Sequence, residues 1–247
     1  MDSVPLRLGL GVINKMKRHH RIIVTIAFIL FIPRLCAGHN LFPCDYIYKD
    51  FENIEASDKI FDNLLESKVD LTSLNKQATL KYAPAFTPEI VYILHKKNQE
   101  FFIKRIATND NIFGLIQVVC KELGIQPNEL RNNIKIVGNK INSLTKIVTS
   151  DKKISTKLAI HIQEVFNKNI STSRNPTEAE KKELFSYLDG PIFYFKSPSR
   201  KCCYGLASMT EPPANKIIKM VLSLEELFGQ GNVNTEKIEE KIISETK

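Results

Sequence analysis

The chain has 247 residues, 43% apolar and 25% charged, a balance that supports a hydrophobic core and argues against a disordered chain. Its formal charge is +8, from 35 basic and 27 acidic residues, with five cysteines and no tryptophan. Six of the basic residues lie before residue 39, so whole-chain basicity is a poor argument for nucleic acid.

Residues 22–32 (IIVTIAFILFI) form an unbroken apolar run, preceded by Lys15, Lys17, Arg18 and Arg21. Cys36 and Gly38 stand where a signal peptidase wants small side chains, so the pattern predicts a signal peptide over 1–38 and a mature start at His39. The run is about half the ~20 residues that cross a bilayer, so no stable membrane span is expected. Residues 39–247 hold 29 basic and 26 acidic side chains, but unevenly: 71–176 has sixteen basic against seven acidic, and 39–70 has three against eight.

Export also sets the reading of the cysteines. Cys44, Cys120, Cys202 and Cys203 are disulfide candidates, with three possible connectivities. Cys120 lies in an apolar helical stripe, where a plain buried thiol is an equal alternative. Cys202 and Cys203 are adjacent and strained as partners, so at least one is expected to reach elsewhere, most simply to Cys44. Asn169-Ile170-Ser171 is a glycosylation candidate at Asn169.

In chain order, 39–83 reads as an N-terminal helical flank, with a stripe at Phe51, Ile54, Phe61 and Leu65. Asp70, Thr72 and Ser73 then mark a loop, and Pro84 and Pro88 a break. Residues 90–94 and 101–106 read as two strands around a five-residue turn, 95–99. Asn109 or Asp110 caps a predicted helix over 112–123, with Gly124 ending it in the left-handed conformation. Ile134-Lys135-Ile136-Val137 reads as a short strand turned at Gly138-Asn139, and 157–162 alternates as a final strand.

This order, with Gly124-Ile125-Gln126-Pro127, Ile136-Val137-Gly138-Asn139-Lys140 and the run 150–158, resembles the ubiquitin-like β-grasp fold over residues 89–163. The resemblance implies an α+β protein with a β-grasp core at 84–166. It does not imply conjugation, because Gln163-Glu164-Val165-Phe166 replaces a diglycine tail. The positions where that family recruits partners hold Lys135 and His161. Phe101 and Phe102 cannot both face one core, and Lys104 falls near a position the fold would bury.

Residues 167–176 read as a linker and 177–247 as a C-terminal extension. Thr177 and Glu180 form a capping box, Asp189-Gly190-Pro191 stops that helix, and 192–195 is a strand. Ile217, Val221, Leu224 and Phe228 stripe a last long helix, followed by a charged helical tail from Thr235.

Catalytic motifs are missing: no phosphate loop, zinc-helix pattern or nucleophile elbow occurs, and no cofactor or metal is expected. A thiol enzyme would need Cys202 or Cys203 beside His161 or His95. The basic body offers more. Lys96, Lys97, Lys135, Lys140, Lys152 and Lys153 are candidates for one cationic surface that binds an acidic glycan or another exported protein by charge. Nucleic acid is not expected, because aromatic interleaving is lacking. The sequence thus points to a secreted, non-enzymatic surface, wall or matrix protein. Its composition would suit an intracellular eukaryotic parasite, a spore-wall protein included. The alternatives are an exported cysteine-dependent enzyme and a lumenal adaptor with a ubiquitin-like fold.

Overall fold

The structure, a computed structural model, describes residues 41–50, 52–84, 87–178, 192–197, 202–206, 214–229 and 234–247, all belonging to one unit, His39–Lys247. The expected leader, Glu180 of the capping box and the 189–191 stop lie outside the described residues.

The strands are β1 (Leu41–Pro43), β2 (Asn75–Ala83), β3 (Ile90–Lys97), β4 (Glu100–Thr108), β5 (Ile147–Ile154), β6 (Ile192–Lys196) and β7 (Cys202–Leu206). The helices are α1 (Cys44–Asp50), α2 (Glu52–Lys68), α3 (Ile112–Leu123), α4 (Ile134–Leu144), α5 (Thr156–Thr172), α6 (Ala214–Phe228) and α7 (Thr235–Glu245), with a 3-10 turn at Pro127–Asn133. The protein is thus α+β. Among the described residues one sheet runs β1-β7-β6-β2-β3-β4-β5, with each neighbouring pair antiparallel.

Side chains alternate across that sheet, and both faces are covered. Leu80, Tyr92, Leu94, Ile103, Phe193, Phe195 and Cys203 share a core with Leu158, Ile162 and Phe166 of α5, Met220 and Leu224 of α6, and Ile242 of α7. Val91, Ile93 and Ile106 on the opposite face share another with Ile60, Phe61 and Leu64 of α2, Ile116 and Val119 of α3, and Val137 and Ile141 of α4. A third cluster joins Phe42, Cys44 and Ile47 to Tyr194 and Tyr204. Each fully buried large apolar side chain contributes about 1.5–3 kcal/mol, so both layers are needed.

Two faces also resolve the register problem. Phe101 packs with the α5–α7 core, while Phe102 stacks on His95 across the sheet at 5.6 Å. Lys104 bonds Asp151 at 2.5 Å.

Several expectations are corrected. Residues 134–137 are the first turn of α4, because Val137 and Ile141 bury at i, i+4 spacing. Residues 157–162 open α5: the alternation of Leu158, Ile160 and Ile162 belongs to a longer stripe, Leu158, Ile162 and Phe166, that leaves Ile160 exposed. With those two strands helical and all pairing antiparallel, the expected β-grasp order is absent from 89–163.

Domain limits shift too. The flank 39–83 supplies β1 and β2, the linker 167–176 is helical as far as Thr172, and β6 pairs with β2. A cut at 84 therefore takes β2 from beside β3. The helix at 112–123 is capped by Asn111, whose side chain accepts from Gly114 N at 2.6 Å, and ends at Gly124 with φ 69° as expected. The five-residue turn is shorter than expected: β3 runs to Lys97, leaving Asn98 (φ 49°) and Gln99 (φ 65°) as a two-residue hairpin loop.

Candidate functional site

Strand register decides which lysines meet. Lys96 lies opposite Phe101 and Lys97 opposite Glu100, while Lys152 and Lys153 lie opposite Ile103 and Phe102. All four therefore ring the same end of the sheet, around the Asn98-Gln99 turn. β3 and β5 are two strand spacings apart, roughly 10 Å. By alternation Lys96 and Lys152 project on one side of the sheet, Lys97 and Lys153 on the other.

Lys135 and Lys140 are not brought to this end by the sheet. They are exposed on α4, whose last turn leads to Ile147, opposite Thr108 at the far end of β4. Two lysines that the sequence reading missed do join it. Lys76 of β2 lies opposite His95, and Lys196 ends β6. Their signal was hidden because β2 itself, with an irregularity between Lys76 and Ala78, was not recognised as a strand.

Two acids on the strands offset part of this charge, and Asp62 and Glu66 of α2 line the cleft that Lys76 and Lys196 share. Glu100 accepts from Lys153 Nζ at 2.5 Å, and Asp151 accepts from Lys104 while lying 3.0 Å from His95 Nε2. Burial pushes the Asp151 carboxyl up, but Lys104 and His95 outweigh it and hold it below the usual carboxylate range. Lys96 lies over the Phe101 ring at 5.5 Å. Among the described residues, Lys76, Lys97, Lys152 and Lys196 make no ion pair, so the end of the sheet carries a net positive charge.

The cysteines divide by face. Cys44, at the start of α1, is disulfide-bonded to Cys202 with Cα atoms 5.6 Å apart, joining the N-terminal helix to β7 as expected. Cys120 and Cys203 are free and buried. Burial pushes the Cys203 thiol up to about 12 and raises Cys120 as well. Among the described residues neither His95 nor His161 is paired with either thiol. His95 Nε2 faces Asp151, its Nδ1 is buried without a partner, and His161 Nε2 is 2.7 Å from Thr246 Oγ1.

A buried lysine anchors the opposite half of the sheet. Lys81 Nζ donates to Asp58 Oδ1 at 2.9 Å and Asp62 Oδ1 at 3.4 Å, and lies 4.6 Å from the Phe61 ring centre. Burial alone would lower its pKa, but the two carboxylates reverse that and raise it above the ordinary lysine value. A lysine held as the ammonium ion is not a nucleophile, so this group ties α2 to the sheet rather than reacting. Asn169 lies half-buried in the last turns of α5, where Ser171 Oγ donates to Lys168 O at 2.8 Å. Among the described residues no His, Cys, Asp and Glu cluster is placed to hold a metal, and no helix is long and apolar enough to cross a membrane.

No family model, curated protein or solved structure matches this chain.

Proposed function

We propose that this is a secreted, non-enzymatic protein of a surface, wall or matrix that holds an acidic glycan at the lysine-ringed end of its sheet. The observation that carries it is the register: strands β2 to β6 bring Lys76, Lys96, Lys97, Lys152 and Lys196 to one end, with Glu100 and Asp151 on the strands and Asp62 and Glu66 of α2 beside Lys76 and Lys196. A long sulfated or carboxylated chain suits this geometry, because the lysines lie on both sides of the strand ends and a polymer can pass across them. The disulfide supports an oxidising destination. The leader pattern supports export, and the lysine-rich composition fits a parasite's spore-wall or surface layer.

The cysteine-enzyme alternative finds less support. Cys202 is spent in a disulfide, Cys203 is fully buried with a raised pKa, and both histidines have other partners. The adaptor reading rested on a ubiquitin-like core whose expected last strand is helix α5, so it contributes nothing to this proposal.

Heparin-type chromatography tests it. The mature protein should be retained at low salt and released as salt rises, since the Debye length falls from about 10 Å at 0.1 M to about 3 Å at 1 M. Complete flow-through at low salt would overturn the reading.

A further inference from the structure

A cleft of about 490 Å³ opens between α2 and α3 above the 3-10 turn, on the side of the sheet that carries α1 to α4. It lies in the range of small-molecule pockets, roughly 300–1,000 Å³. Helix α3 lines it with Phe113, Ile116, Gln117, Cys120 and Lys121. That stripe covers two helical turns, about 12 Å of helix at 1.5 Å per residue, and sets the length of the apolar wall. Ile125 and Leu130 extend the apolar wall, and Asn53 and Gln126 give a neutral polar rim.

Charge is the selective feature. Among the described residues Lys121 is the one charged side chain in the lining; it is exposed at the last turn of α3 and makes no ion pair. Ser57 of α2, 7% exposed, adds a hydroxyl to the lining opposite α3.

We propose that this cleft binds one long-chain carboxylic acid, with its alkyl chain along Phe113, Ile116, Ile125 and Leu130 and its carboxylate at Lys121. The chain length follows from the length of the apolar wall, and the single negative charge from the single cation. This site is separate from the lysines at the strand ends, and either proposal stands without the other.

The test uses the mature, disulfide-bonded protein with dodecanoate and dodecanol as probes in titration calorimetry. Dodecanoate should bind with one-to-one stoichiometry. Lys121→Glu, an exposed change that leaves the packing alone, should weaken dodecanoate roughly five- to tenfold while leaving dodecanol unchanged. Occupancy should also slow alkylation of Cys120 by iodoacetamide, since that thiol lines the cleft. Absence of saturable dodecanoate binding would overturn the proposal. So would equal affinity in Lys121→Glu, or unaltered Cys120 alkylation in saturating dodecanoate.

Discussion

Cys202 and Cys203 adjoin in β7 yet serve opposite faces of the sheet: Cys202 is bonded to Cys44, while Cys203 is wholly buried in the core formed with α5, α6 and α7. Strand alternation alone imposes this division, so only one of the pair can reach the N-terminal helix. Non-reducing peptide mapping should recover Cys44 joined to Cys202, and the denatured mature protein should titrate Cys120 and Cys203 as thiols. Because 158 residues separate the bonded pair, Cys44→Ser should cost about 2–4 kcal/mol in urea unfolding. Recovery of Cys44 joined to Cys203 would contradict the register of β7.

The Lys81–Asp58 pair gives a second stability prediction. Both side chains are almost fully buried, so removing one strands the other's charge. Lys81→Met should cost roughly 3–5 kcal/mol, and the double change Lys81→Met with Asp58→Leu should recover most of that loss. Urea midpoints of the single and double variants measure it. A double variant as unstable as the single would show that the pair is not the cause.

Acid sensitivity should trace to Glu225 on α6. Its carboxylate accepts from Arg105 Nε at 2.6 Å and Arg105 Nη2 at 2.8 Å, and from the Tyr92 hydroxyl. Burial pushes the carboxyl up, but these donors outweigh it and hold its folded pKa below the usual range. The stability it contributes is therefore complete above the unfolded value of about 4.3, and is lost as pH falls through the lower folded value. Thermal melts from pH 6 down to pH 2 should show Glu225→Gln less stable than the parent at pH 6, with the difference shrinking toward pH 2. A constant difference would remove Glu225 from the account.

The hairpin loop offers a gain instead of a loss. Gln99 holds φ 65°, a conformation that costs a residue with a Cβ roughly 1–2 kcal/mol. Gln99→Gly should therefore raise stability by about 1 kcal/mol, read as a higher urea midpoint with an unchanged slope. A fall in the midpoint would mean the loop does not adopt this turn.

Helices with a full 3.6-residue stripe were legible in the sequence. The stripe of 112–123 and its Gly124 stop appear as read, as do the 217–228 stripe and the helical tail from Thr235. Segments with short apolar patterns misled. Ile134, Ile136 and Val137 look like a strand over four residues, and only Ile141 shows the helical period. β2 and β5 were missed because Asn75, Lys76 and Gln77 open the first and Thr149, Ser150, Asp151, Lys152 and Lys153 fill the second, which breaks the apolar alternation of Asn75–Ala83 and Ile147–Ile154. The lysine site was legible in part for the same reason. The turn marked Lys96 and Lys97, but adding Lys76 and Lys196 and setting Lys135 and Lys140 apart required the register of strands distant in sequence.

The most direct measurement of the central claim compares charge reversals on a heparin-type matrix. Lys96, Lys97 and Lys152 changed together to Glu alter only side chains at the end of the sheet, and loss of binding should come without a large fall in melting temperature. Lys237 and Lys241 on α7, the latter bonded to Glu226 at 2.6 Å, provide the control. The account predicts that the triple variant elutes at much lower salt than the parent, while the control pair elutes with the parent. If both variants shift alike, or neither shifts, the lysine-ringed end of the sheet is not the binding site.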